Sequence, residues 1–206
     1  MTVHRRTLLG LAGALALPLT ALPLTAWAQS DPRLAERSFG KPDAKVTVTE
    51  FFSLTCTHCA AFSRETMPDI EKNLIDTGRV RFLYRDFPLD QVALTAAMVA
   101  RSLPPERYEP FVSALFANQD RWAFAPAGGN STEALAQMAM LAGMPRATFD
   151  ATIADGKLKQ AILAAQEDAE SKYHIDSTPS FLCNGRVQSG EMNYDMFVKF
   201  IGDTTG

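Results

Sequence analysis

A Cys-x-x-Cys tetrad, Cys56-Thr57-His58-Cys59, stands where the hydrophobic period of the chain changes, and that position narrows the folds open to it. Before the tetrad, Val46, Val48 and Phe52 alternate with Thr47, Thr49 and Phe51, the period-two pattern of a strand over Lys45–Leu54. Glu50 falls on the face of Val46, Val48 and Phe52, so this strand carries a carboxylate among apolar neighbours and is expected to be covered on both sides. After the tetrad, Ala60, Ala61, Phe62, Met67, Ile70 and Leu74 follow a loosely helical spacing. It predicts a helix from Cys56 to about Thr77, kinked at Pro68. Asp76-Thr77-Gly78 closes it, and Val80–Phe87 reads as a second strand. The result is a βαβ unit with its cysteine pair at the strand-to-helix junction.

From about Asp90 to Tyr173 the pattern is helical, near 90–102, 106–118, 132–143, 146–154 and 157–173. The breaks fall at Pro104-Pro105, Gly128-Gly129, Gly143-Met144-Pro145 and Asp155-Gly156. Pro179–Cys183 and Arg186–Ser189 then predict two short strands around Asn184-Gly185, a strong hairpin signal. A helix over Tyr194–Ile201 follows. Gln29–Asp43 is polar and turn-rich and reads as a lead-in. The order is βαβ, a helical block, then ββα, within the 206 residues expected of one domain with a large insertion.

The first residues have the three-part layout of an export signal. Met1–Arg6 is basic, Thr7–Trp27 is apolar and uncharged, and Ala26-Trp27-Ala28 supplies small residues for cleavage before Gln29. An uncleaved anchor is the alternative, since Thr7–Trp27 is long enough to cross a bilayer. Pro18 and Pro23 favour cleavage of 1–28. Arg5-Arg6 hints at the twin-arginine route, but His4 before it and Gly10 after Leu8-Leu9 leave that pattern incomplete, so it and the general secretory route both stay open. The full chain has 20 basic and 23 acidic residues; losing Arg5 and Arg6 with the leader leaves 18 against 23, a net charge of −5. With no basic run, a nucleic-acid partner is not expected.

Export sets an oxidising compartment, the periplasm, in which disulfides persist. The three cysteines cannot all pair internally, so one functional pair and the spare Cys183 are expected. Cys183 alternates with Phe181 and reads as a buried, unreactive thiol. At the start of a helix, unpaired N–H groups and the positive dipole end would stabilise a Cys56 thiolate. A protonated His58 would add to this. The i, i+3 spacing brings the two sulfurs onto one helix face. Two other readings of the tetrad stand beside the redox one. Half a zinc site would need further ligands, and neither His174 nor Cys183 has the spacing. A structural bridge closing so short a loop would stabilise little. His174, near a helix end, reads as structural. Trp122 and Phe124 read as core residues, with a substrate groove as the alternative.

The stretch Glu50-Phe51-Phe52-Ser53-Leu54-Thr55-Cys56-Thr57-His58-Cys59 resembles the active-site strand and motif of the DsbA family of bacterial disulfide oxidases. Thr178-Pro179, followed by a strand, resembles the cis-proline loop that faces the cysteines in thioredoxin-fold oxidoreductases. The helical block resembles the inserted helical domain of that family. The resemblance implies an α/β thioredoxin-like fold with an inserted all-helical domain: residues 29–89 and 174–206 form the thioredoxin-like part and 90–173 the insertion. It also implies roles. Cys56 is the exposed nucleophile, Cys59 the buried resolving thiol, and Glu50 a buried acid relaying a proton to Cys59 or, alternatively, paired with a base. Thr178 and Pro179 form an open edge for a substrate peptide.

The sequence departs from the family's pattern at several positions. Thr57 stands where proline is commonest, and Thr178 precedes the proline as in the reductive and isomerase branches. Tyr84, with Arg85 beside it, occupies the position expected of a base partner for Glu50. The implied activity is a monomeric oxidase that needs no cofactor or metal. Its substrates would be reduced, unfolded exported proteins, and a membrane quinone-linked partner of the DsbB type would re-oxidise it. A disulfide isomerase or reductase is the nearest alternative, disfavoured because only Gln29–Asp43 precedes the first strand, too little for a dimerisation domain. A metal-binding chaperone using Cys56, Cys59 and His58, or a holdase using the helical groove, are readings from other classes.

Overall fold

The computed structural model describes residues 31–124 and 129–202. The leader expected over 1–28 with its cleavage site, Gly128 of the Gly128-Gly129 break, and positions 29–30 and 203–206 lie outside these residues.

The alternating run ahead of the tetrad forms strand β2 (Val46–Phe52), at the centre of a five-stranded mixed sheet ordered β1-β3-β2-β4-β5. It runs parallel to β3 (Val80–Asp86), in a register that sets Val46 against Val80 and Glu50 against Tyr84. On its other side it runs antiparallel to β4 (Ser180–Cys183), with Val48 opposite Cys183 and Glu50 opposite Phe181. β5 (Arg186–Ser189) closes that edge. The β4–β5 turn is Asn184-Gly185, both at positive φ (50° and 74°), the backbone that a two-residue hairpin turn of this type requires. Asparagine and glycine tolerate that region better than other residues.

Two departures from the sequence reading have local causes. The lead-in Gln29–Asp43 contains a strand, β1 (Arg37–Phe39), antiparallel to β3 at the sheet edge. Three residues are too few to show a period. What holds them is the hydrogen-bonding edge of β3 and the Phe39 ring, edge-on to Tyr84 at 5.1 Å between centroids. The helix expected to run from Cys56 to Thr77 with a kink is instead three pieces: α1 (Thr57–Glu65), α2 (Met67–Ile70) and one π-helical turn (Glu71–Ile75). Pro68 has no N–H to give the fourth carbonyl back, so α1 ends at Thr66. The chain then restarts with the proline in the first turn, where the missing donor costs nothing.

Each face of the sheet carries its own apolar layer. Phe62 of α1, Phe82 of β3, Phe181 of β4 and Phe197 of α9 (Tyr194–Ile201) meet on one side, with Phe62 and Phe181 4.7 Å apart. Phe51, Phe87, Ala169 and Ile175 meet on the other, under α8 (Gly156–Tyr173). Between β3 and α8 lie α3 (Gln91–Ser102), α4 (Pro105–Ala117), α5 (Gln119–Trp122), α6 (Ser131–Leu141) and α7 (Arg146–Ile153). α3 is their hub, in contact with α4, α6, α7 and α8. α4 in turn packs on α1 and couples the helical block to the tetrad.

The buried pair Arg101–Asp86 ties β3 to α3, with Nε donating to Oδ2 over 2.6 Å. Arg101 Nη1 also donates to the Ala35 carbonyl over 2.9 Å, which pins the lead-in.

Phe181 is fully buried and touches both Phe62 and Phe197. Phe181→Ala is expected to lower the unfolding free energy by about 3–5 kcal/mol. Urea titration should show this as a lower midpoint at unchanged slope.

Candidate active site

Cys56 occupies the N-cap of α1, and its backbone stays extended (φ −75°, ψ 120°) so that the first turn opens toward its own side chain. Its sulfur takes the place of the usual capping oxygen: the Cys59 amide donates to Cys56 Sγ over 3.4 Å. Both tetrad cysteines are free thiols in this structure. The Cys59 side chain is the main influence lowering the Cys56 pKa, followed by the Thr178 side chain and the Cys59 and His58 amides; together they overcome burial and bring it down to about 5. Cys59 is pushed the other way, above the ordinary thiol range, chiefly by burial and then by Cys56 and Glu50. Two thiols three residues apart therefore differ in charge at neutral pH, Cys56 as thiolate and Cys59 as thiol.

Exposure follows the same asymmetry, with one correction. Cys56, expected to be exposed, keeps only 8% of its surface, while Cys59 keeps none. The covering comes from the Thr178-Pro179 loop, whose peptide bond is cis and whose Thr178 carbonyl lies 3.3 Å from Cys56 Sγ. The two residues between the cysteines are exposed, and His58 points outward.

Glu50 lies beneath the pair, 1% exposed, with Oε1 buried and unpartnered. Burial, and secondarily the Cys56 charge, push its pKa well above the ordinary carboxylate value, so its protonated form is favoured. No base pairs with it among the described residues. Tyr84 stands opposite in register but is itself held neutral by burial. Arg85 faces the other side of the sheet, over the Phe51 ring and 3.8 Å from Asp168.

The remaining candidates fall elsewhere. Cys183 is fully buried in β4 and its pKa is raised by burial, which fits the unreactive thiol expected. His174 caps the end of α8 in a left-handed conformation. Trp122 is buried, its Nε1 donating to the Leu115 carbonyl over 2.8 Å, and it lines a cavity of about 610 Å³ that none of the tetrad residues lines. Phe124 is half exposed. Among the described residues, no group of three or more His, Cys, Asp or Glu side chains is placed to hold a metal ion. No described helix is long and apolar enough to cross a membrane.

A family model described as thioredoxin matches residues 33–203. The chain belongs to the thioredoxin family, in its DsbA-like branch. It is 29% identical over 157 residues to a putative protein-disulfide oxidoreductase of Rickettsia felis, covering 76% of this chain and 55% of that protein. The chain thus spans little more than half the length of the first curated relatives it matches. It is 25% identical to disulfide bond formation protein D of Bacillus subtilis, covering 76% of this chain and 71% of that one. Among solved structures, Wolbachia pipientis alpha-DsbA1 superposes with a TM-score of 0.74 at 28% identity, over 83% of this chain and 91% of that one. These matches bear out the thioredoxin-like fold with a helical insertion and the DsbA resemblance.

In this DsbA-like chain three residues absent from the sequence reading touch the tetrad or its loop. Asp90 accepts from Thr55 Oγ1 over 2.6 Å while its other oxygen caps α3. An aspartate just before a helical run is a legible capping signal. Gln119 of α5, buried, donates from Nε2 to the carbonyls of Leu54 (2.8 Å) and Cys56 (3.1 Å). Glu191 Oε2 lies 2.9 Å from His58 Nδ1, across 133 residues of chain, where a protonated ring nitrogen donates to the carboxylate. No local pattern announces the last two.

Three outcomes follow from this geometry. Iodoacetamide modification of the reduced protein should be confined to Cys56, with a rate that titrates near pH 5, while Cys59 stays unmodified at neutral pH. Because the folded Cys56 pKa is depressed, its contribution to stability of the reduced form is complete above the unfolded-chain thiol pKa and disappears as pH falls through about 5. Gln119→Ala, which leaves the Leu54 carbonyl without its donor while the Cys56 carbonyl keeps the Ala60 amide, should cost about 1–3 kcal/mol of unfolding free energy by urea titration.

Proposed function

We propose that this chain is an exported thiol:disulfide oxidoreductase acting as a dithiol oxidase in the periplasm, introducing disulfides into reduced, unfolded substrate proteins through Cys56 and Cys59. The observation that carries the reading is the opposite displacement of the two thiols, with Cys56 brought down to about 5 and Cys59 pushed up. Stabilising the Cys56 thiolate stabilises the reduced protein, and a stabilised reduced form makes the disulfide form a strong oxidant.

In the proposed cycle a substrate thiolate attacks Cys56 Sγ of the Cys56–Cys59 disulfide. That bond breaks, a bond between substrate sulfur and Cys56 forms, and Cys59 departs with the electron pair. Glu50, buried and with its pKa raised, would supply the proton that Cys59 takes up on leaving. A second substrate thiolate then attacks the substrate sulfur and expels Cys56 as its stabilised thiolate. Two substrate thiols are thereby oxidised to a disulfide and the protein pair is reduced. His58 would add positive charge beside the thiolate. Thr178 and Pro179 would present the backbone edge along which an extended substrate pairs, since proline leaves that edge without a competing N–H.

Residues 29–89 and 174–206 are read as the redox unit and 90–173 as its insertion, acting as a monomer. Re-oxidation would fall to a membrane quinone-linked partner of the DsbB type, the pairing implied by the DsbA-like relatives.

The test is the reduction potential of Cys56–Cys59 in glutathione buffers. A value well above about −180 mV is expected for an oxidase, whereas one near about −270 mV would replace it with a reductase. Zinc or copper retained stoichiometrically under reducing conditions, and lost in Cys56→Ser, would point instead to a metal-binding chaperone.

A further inference from the structure

The segment Gly190-Glu191-Met192, between β5 and α9, is fastened on both sides of its central residue. The Gly190 amide donates to the Pro179 carbonyl over 2.8 Å, so one end hangs from the cis-proline loop. The Met192 carbonyl accepts from the buried Thr66 hydroxyl over 2.9 Å, and the Met192 side chain is 3% exposed in the core, so the other end is held against the C-terminus of α1. Only Glu191 projects from this strap. Its Oε2 lies 2.9 Å from His58 Nδ1. A strap anchored to the two elements that frame Cys56 thus delivers a carboxylate to the one histidine of the tetrad.

We propose that Glu191 is a positioning residue for the disulfide chemistry, orienting the His58 ring and keeping it cationic beside Cys56 so that the reduced pair is favoured. This rests on the redox reading above. With Nδ1 bonded to the carboxylate, the ring must carry a proton there, which fixes its tautomer and turn. The hydrogen bond and charge of Glu191 raise the His58 pKa, and the Cys56 thiolate adds to this in smaller measure. The Cys56 thiolate acts on the His58 ring, while His58 acts directly on Cys56 through its backbone amide and Glu191 is not among the groups that shift Cys56. The proposed influence of Glu191 on the sulfur therefore runs through the His58 ring, whose positive charge attracts the thiolate.

The equilibrium that reports this is exchange with glutathione. The Cys56–Cys59 bond breaks, two glutathione thiols become one glutathione disulfide, one of their protons goes to Cys59, and the other is released because Cys56 stays a thiolate. Glu191→Gln keeps the shape of the side chain and removes its charge. It is expected to lower the equilibrium constant for this reduction by about threefold, the scale of a solvent-screened pair. At about 30 mV per tenfold, that is a fall in potential of about 14 mV. In a His58→Asn background the same substitution should change nothing, which isolates the coupling.

A Glu191→Gln protein with the wild-type equilibrium constant would overturn the proposal. So would an effect that persists undiminished without His58, since that would make Glu191 a direct or merely structural influence. The wild-type potential alone decides between oxidase and reductase, and the ratio between variants alone decides the role of Glu191, so either can fail without the other.

Discussion

A single capping contact organises the chemistry of this protein. The first turn of α1 has amides that no helical carbonyl satisfies, and the sulfur of Cys56 accepts one of them. A cap made of oxygen would only end a helix. A cap made of sulfur spends part of the helix's N-terminal field on a thiol proton, and the same turn places Cys59 where its own proton is hardest to lose. The difference between the two thiols is thus a property of one helical turn, while the sheet and the helical block serve to hold that turn still. β2 delivers the chain to it, Asp90 and Gln119 fasten the loop before it, and the Thr178-Pro179 loop covers it.

Beneath that turn the electrostatics invert. Glu50 is buried among core phenylalanines, no base pairs with it among the described residues, and desolvation raises its pKa and favours its neutral form. A neutral carboxyl can donate a proton in a way that an ion-paired carboxylate cannot. The register explains why no base is present: the residue facing Glu50 on β3 is Tyr84, which is wedged among Phe39, Phe52 and Phe82 in an aromatic layer. The adjacent Arg85, one residue on, necessarily points to the opposite face of the sheet. A one-residue difference in strand position decides whether a phenol or a guanidinium stands on the face of the buried acid.

Most of the fold was legible before any coordinates, because its strong elements are long or chemically punctuated. The β2 alternation, the Asn184-Gly185 turn and the break at Pro68 each follow from steric rules acting within a few residues. β1 was not legible, since Arg37–Phe39 is stabilised by the edge of β3 rather than by its own pattern. The division of the helix after the tetrad into α1, α2 and a π-helical turn was half legible, as proline marks a break but does not say how the chain resumes. In the candidate site the tetrad, Glu50, Thr178 and Pro179 could all be picked out along the chain, whereas Gln119 and Glu191 could not.

The sequence by itself determined the chemistry available: a Cys-x-x-Cys pair at a strand-to-helix junction, a carboxylate in an apolar strand, and a proline ahead of a hairpin. Local sterics and hydrogen-bonding capacity suffice for those, and they act over one turn or one strand. Only the tertiary structure decided the state of each group. Cys56 keeps a sliver of exposure because a loop 122 residues away lies over it, the Glu50 pKa is raised because both sides of the sheet are covered, and His58 finds a carboxylate 133 residues on. Desolvation and charge pairing depend on distance in space, and that distance is set by packing rather than by position along the chain.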